Sequence, residues 1–108
     1  MFVGTPGASA ATAQVGLFSD ANYGGCAYYV YGTTSIPHFG NLVYGNTDPA
    51  YCKTKSLGDS VSSVSNGRCT IRLYVDGGYS GAYQQIAPYT VVPQVIYNDR
   101  YSSLKFFC

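Results

Sequence analysis

An all-β sandwich of two Greek-key motifs is the fold this sequence predicts, and three observations carry the prediction. First, one pattern occurs twice: VGLFSDANYGG near the start and LYVDGGYSG past the middle, with Phe18, Tyr23 and Gly25 spaced as Tyr74, Tyr79 and Gly81. Second, each copy is followed by an oxygen-rich tail ending in paired serines, GDSVSS at 58–63 and NDRYSS at 98–103. Third, apolar residues recur in short alternating runs, and no window has the period of an amphipathic helix. A chain of 108 residues suits one domain, here with internal pseudo-twofold symmetry.

The elements follow in order. Residues 1–13 are small and rich in Gly, Ala, Ser and Thr, which reads as an N-terminal arm. The domain proper is expected over 14–108, with motif one at 14–67 and motif two at 68–108. Residues 14–18 alternate and form a strand. The run 19–22 turns, Gly24-Gly25 permits the positive φ of a fold-back, and 26–31 returns. Residues 32–40 read as loop, because Pro37 cannot donate to a ladder. A short third strand is expected at 41–44. A long irregular stretch over 45–57 contains Asp48-Pro49, a fourth strand opens at 61–64, and Asn66-Gly67 turns tightly. The second half repeats the order. Residues 69–75 put Thr70, Arg72 and Tyr74 on one face and Ile71, Leu73 and Val75 on the other. Asp76-Gly77-Gly78 turns, 81–85 returns, Pro88 and Pro93 break the region between, 95–97 is a short strand, and 102–108 closes the chain. Eight short strands in two sets of four make two Greek keys packed face to face.

Composition narrows the function classes. Charged residues are 10% of the chain and the formal net charge is +1, which argues against an electrostatic nucleic-acid binder. The six Lys and Arg are scattered and form no run. No apolar stretch is long enough for a membrane-spanning helix. Cys26, Cys52, Cys69 and Cys108 have no zinc spacing and only His38 could assist them, so two disulfides in a secreted domain is the expectation, with an intracellular chain of free thiols as the plain alternative. The segment FVGTPGASAATA after Met1 reads as the start of a mature secreted chain. Four cysteines allow three pairings. A Greek key returns its fourth strand beside its first, which favours Cys69–Cys108 and leaves Cys26–Cys52.

An enzyme is not expected. There are no glutamates, Asp20 and Asp76 occupy equivalent turn positions, Ser35 near His38 lies in no G-x-S-x-G elbow, and Gly77-Gly78 precedes no helix. The signature aromatics have a structural duty: the second ring folds back over its hairpin onto the glycine. The serine loops are the better site candidates. Asn98, Asp99, Ser102 and Ser103 offer side-chain oxygens, with a carbonyl near Arg100, and Asp59, Ser60, Ser62 and Ser63 repeat the set. Hard oxygens on turns suit calcium. The same residue types also close turns on their own backbone.

The two hairpin units and the paired serine loops resemble the βγ-crystallin family, over nearly all of 14–108. The resemblance implies a βγ-crystallin-like β-sandwich, and in microbial members two calcium ions held by loops of pattern N/D-N/D-x-x-S/T-S. Asn98, Asp99, Ser102 and Ser103 match that pattern; Gly58 departs from it before Asp59, Ser62 and Ser63. It also implies a backbone oxygen on each ion from the hairpin of the partner motif, at positions matching Ser19 and Val75. The implied metal residues are thus Ser19, Asp59, Ser60, Ser62, Val75, Asn98, Asp99, Arg100 and Ser102, with Ca2+ as cofactor. The expected role is that of a secreted, monomeric, calcium-binding protein in structure, stress or defence, without nucleic-acid or membrane partners. Small secreted relatives with disulfides also include metallopeptidase inhibitors and killer-toxin-like antimicrobial proteins. An inhibitor would present 32–40 or 87–93 to a peptidase, and a defence protein would meet a cell-wall glycan.

Overall fold

The computed structural model describes residues 14–45 and 50–108, so the expected arm at 1–13 and Asp48-Pro49 lie outside the described residues. Seven strands form two antiparallel sheets: β1 (Val15–Asp20), β2 (Gly24–Val30), β3 (Ser63–Asn66), β4 (Thr70–Asp76), β5 (Ser80–Ile86), β6 (Val91–Val92) and β7 (Ser103–Phe107). One sheet has the order β2-β1-β3-β6, the other β5-β4-β7. The described residues contain no α-helix, only short 3-10 turns at Ala21–Tyr23, Phe39–Asn41 and Ala50–Lys53.

The core follows from alternation. Leu17 and Val15 on β1, Val64 on β3, Ile71 and Leu73 on β4, and Leu104 on β7 are buried between the sheets with Phe39, Leu57, Val61 and Tyr101. Arg72, between Ile71 and Leu73, faces outward as the period of a strand requires. The disulfides are Cys26–Cys52 and Cys69–Cys108, with Cα separations of 5.4 Å and 4.8 Å. The second staples the end of the β4–β7 pair beside the partners Thr70 and Phe107. The first ties β2 to the buried Cys52 turn.

The third strand of each motif departs from expectation. Residues 41–44 do not form it; the sheet contact comes earlier, at Ile36, which exchanges backbone hydrogen bonds with Leu104 (2.8 Å and 2.9 Å). Val43 instead bridges Ser56. In motif two, 95–97 is turn and the strand is Val91–Val92, paired with β3. The prolines explain both shifts. Pro37 follows Ile36 as Pro93 follows Val92. A proline breaks a central strand but is tolerated at an edge, where it ends the ladder. Each third strand therefore lies on the edge of the other motif's sheet, and the two motifs interlock. The loops considered for peptidase insertion, 32–40 and 87–93, are those that carry these edge strands.

Asn66-Gly67 is a corner between sheets rather than a tight hairpin. Buried Asn66 donates through Nδ2 to the carbonyls of Cys69 (2.8 Å) and Ala87 (2.8 Å), and its Oδ1 accepts from Gly67 N (2.8 Å). Strand β3 starts two residues later than expected: Val61 O accepts from Asp99 N and Ser62 O from Val95 N, although Ser62 N already donates to Phe18 O of β1.

Two core tyrosines make stability depend on pH. Burial pushes the Tyr44 and Tyr101 hydroxyls up from 10.0 to about 12. Tyr44 shares a hydrogen bond with Ser60 Oγ, and Tyr101 donates to Gln84 Oε1 (both 2.8 Å). The unfolded chain loses these protons first, so the stabilisation is complete below about pH 10 and is lost as pH rises toward 12. The urea midpoint should therefore fall between about pH 9 and about pH 11, and fall less in Tyr44→Phe or Tyr101→Phe. An equal fall in all three proteins would contradict this.

Candidate functional site

Each motif folds its first hairpin back on its own sheet through left-handed backbone. Asn22, Tyr23 and Gly25 have φ of 57°, 63° and 72°; Gly78, Tyr79 and Gly81 have 69°, 60° and 81°. Glycine is required at the third position, since a β-carbon on Gly25 would strike Ser19 Oγ and the Asp20 carboxylate. The second aromatic meets the first edge to face: Phe18 and Tyr23 centroids are 5.8 Å apart at 79°, and Tyr74 and Tyr79 are 6.1 Å apart at 65°.

The paired serines divide their work. The second of each pair clamps the folded hairpin. Ser63 Oγ donates to Asp20 O (2.6 Å) and accepts from Tyr23 N (2.9 Å); Ser103 Oγ donates to Asp76 O (2.7 Å) and accepts from Tyr79 N (3.2 Å). Both serines are fully buried. The strand period then turns the preceding serine, Ser62 or Ser102, the other way.

Ser62 Oγ lies 2.9 Å from Ser19 O and 2.9 Å from Asp99 Oδ1. Three oxygens converge there with a single hydroxyl proton among them, so one O···O contact has no hydrogen in it. A cation would satisfy that arrangement. On the related side, Asp59, Val75, Asp76, Asp99, Arg100 and Ser102 line an open cleft of about 500 Å³. The hairpin oxygen at Ser19 belongs to the same motif as Ser62; what crosses from the partner motif is the carboxylate. Asp99 reaches the Ser62 cluster and also lines the cleft, where Asp59 joins Val75, Arg100 and Ser102.

Reciprocal backbone bonds enforce the crossing. Asp59 N donates to Tyr101 O (3.0 Å) and Asp99 N to Val61 O (3.1 Å). Both aspartates are left-handed, with φ of 56° and 59°, a conformation Asp tolerates better than most residues. Asn98 Nδ2 approaches Asp99 Oδ2 at 3.4 Å, which orients the carboxylate from its other side. Gly58 offers Asp59 no such amide; its own Cα faces the Gly40 backbone. Ser60 keeps only its carbonyl for a ligand, because its hydroxyl engages Tyr44 and the carbonyls of Ser56 and Leu57. Asp76, read from sequence as a turn-former, lines the cleft as well; its place directly after Val75 in the hairpin was the available signal. No group of three His, Cys, Asp or Glu side chains that could hold a metal occurs among the described residues. Any ion here would rest on carbonyls, hydroxyls and one or two carboxylates, a donor set for calcium rather than zinc.

This architecture recurs in solved structures. A βγ-crystallin from an archaeon superposes with a TM-score of 0.66 at 23% identity, covering 89% of this chain and 99% of that one. A βγ-crystallin from Ciona intestinalis gives 0.64 at 23%, covering 86% and 98%. The fold is that of the βγ-crystallins. A βγ-crystallin domain from Clostridium beijerinckii agrees, with a TM-score of 0.63 at 20% identity over 89% of this chain and 98% of that one. No protein-family model matches the sequence, and no curated protein matches it. The likeness to these crystallins is therefore one of architecture.

The serine clamp in this crystallin fold is testable. Ser63→Ala and Ser103→Ala each strand a buried backbone N–H and remove a donor, and each should cost about 1–3 kcal/mol. Urea unfolding measures the loss; a change under a few tenths in both would remove the clamp from the account.

Proposed function

We propose that this crystallin-like domain binds calcium in two related clefts and serves as a rigid, non-catalytic secreted protein in structure, stress or defence. The observation that carries the reading is the convergence of Ser19 O, Ser62 Oγ and the Asp99 carboxylate, with the pseudo-twofold counterpart at Val75, Ser102 and Asp59. One cleft takes the Ser19 carbonyl, the Ser60 carbonyl, Ser62 and Asp99. The other takes Val75, Arg100, Ser102 and Asp59, with Asp76 at its rim. Few formal charges surround either ion, so modest affinity follows, roughly 10⁻⁴–10⁻³ M as in extracellular calcium modules. A non-catalytic role fits the residues nearest an acid–base pair. Ser35 Oγ accepts from Phe106 N (3.0 Å), and His38 packs against Gly77. The two disulfides fit an oxidising compartment.

Calcium titration by calorimetry tests the reading, with melting temperature followed in parallel. Two binding events are expected. At one hundred times Kd, a site adds about 2.7 kcal/mol of stability by mass action. Asp99→Ala should remove the site built on Ser62 and weaken the one built on Ser102, which Asp99 also lines, whereas Asp59→Ala should remove only the latter. No heat and no thermal shift up to about 50 mM calcium, well above the expected Kd, would end the proposal and leave the fold untouched.

A further inference from the structure

The duplication supplies an internal comparison between the outer faces of the two sheets. Phe18 of β1 pairs across to Ala27 of β2, as Tyr74 of β4 pairs to Tyr83 of β5. Gly16 pairs to Ser65 of β3, as Arg72 pairs to Lys105 of β7. The same backbone positions are thus small and uncharged on one face and large, aromatic or cationic on the other. Gly16 with Ser65 and Arg72 with Lys105 support the same sheet, so the fold does not require the two cations, whereas Tyr83 covers Tyr74 (5.4 Å) as Tyr29 covers Phe18.

The two faces differ in how they are covered. On the first, the Phe18 and Tyr29 rings lie 6.0 Å apart and close over Gly16, whose β-carbon would press on both. On the second, the Arg72 guanidinium lies 4.4 Å from the Tyr83 ring centroid and 4.9 Å from that of Phe107. Lys105 Nζ lies 5.4 Å from the Tyr79 ring and 5.5 Å from that of Phe107. Tyr83 is 46% exposed and Phe107 39%. Arg72 Nε donates to Gln85 Oε1 (3.0 Å), and the guanidinium also engages Tyr74. The only carboxylate side chain on β4, β5 or β7 is Asp76, at the hairpin end, where it lines the cation cleft. Two adjacent cations therefore stand among aromatic rings, and among the described residues the strands of their face offer no acidic partner short of Asp76.

We propose that this face binds an acidic polysaccharide, with a uronate carboxylate held by Arg72 and Lys105 and the sugar packed against the exposed parts of Tyr83 and Phe107. The charge of the face selects an anion, and the planar guanidinium fork suits a carboxylate. The exposed rings select a partner with flat apolar faces. Arg72 and Lys105 are direct cross-strand partners, so they meet one anionic group rather than a row of phosphates. That geometry favours a sugar acid over a nucleic acid, which needs cations tracking its backbone.

Binding of oligogalacturonate, measured by calorimetry in EDTA, tests the inference apart from the calcium clefts. Fully methyl-esterified oligogalacturonate keeps the rings and lacks the charge, and oligothymidylate stands for a nucleic acid. The acid form should bind, and its ester about tenfold more weakly or not at all. Lys105→Ser places on this face the residue the first sheet already carries at Ser65, so the domain should fold. That variant, and Arg72→Gln separately, should weaken acid binding about tenfold with the melting temperature nearly unchanged. No binding of the acid, equal binding of the ester, tighter binding of oligothymidylate, or unchanged affinity in the variants would each overturn it.

Discussion

Ser63 and Ser103 are fully buried, and each commits its hydroxyl to the folded hairpin of its own motif. Three consecutive features depend on that bond. The hairpin turns through left-handed residues that would otherwise cost free energy, including the tyrosines at Tyr23 and Tyr79. The second aromatic is brought edge-on to the first, covering a ring that would otherwise meet water. The preceding serine then faces the other way, because successive residues of an extended chain do, which brings Ser62 to the Ser19 carbonyl and Ser102 into the cleft with Val75. The position of the candidate cation site is a consequence of the clamp rather than a separate invention.

Interlocking decides the rest. The edge strands at Ile36 and Val91–Val92 each join the other motif's sheet, and the serine loops bond each other through Asp59 and Asp99. Neither motif completes its own sheet or its own oxygen cluster. A cation bound at either cleft would touch both halves, so binding and the integrity of the sandwich are linked. The two disulfides act within the halves: Cys26–Cys52 in the first, Cys69–Cys108 in the second. Staples and interlock thus restrain different motions.

The duplicated frame also separates what folding needs from what it does not. Aromatic, glycine and second serine recur in both motifs because the folded hairpin demands them. Gly16 and Ser65 against Arg72 and Lys105 do not recur, although their backbone partners do. A difference at positions the fold leaves free is where a surface acquires its own chemistry.

The repeated aromatic–glycine spacing, the paired serines and the period-two runs around Leu17 and Ile71 were enough to predict two Greek keys, both disulfides and the loops of interest. These features are local, or follow from placing a strand's ends beside its neighbour, so they can be read along the chain. The third strands could not be read that way. Ile36 and Val91–Val92 are too short to show a period, and their prolines look like breakers until an edge position makes them terminators. The crossing of Asp59 and Asp99 was equally hidden. Which serine an aspartate meets depends on how two loops 40 positions apart in the chain bond across the pseudo-twofold axis. Local sequence determined the folded hairpins and the chemistry of the loops; only the packing of one motif against the other decided which oxygens share a site, because that contact is made between segments whose sequences carry no record of each other.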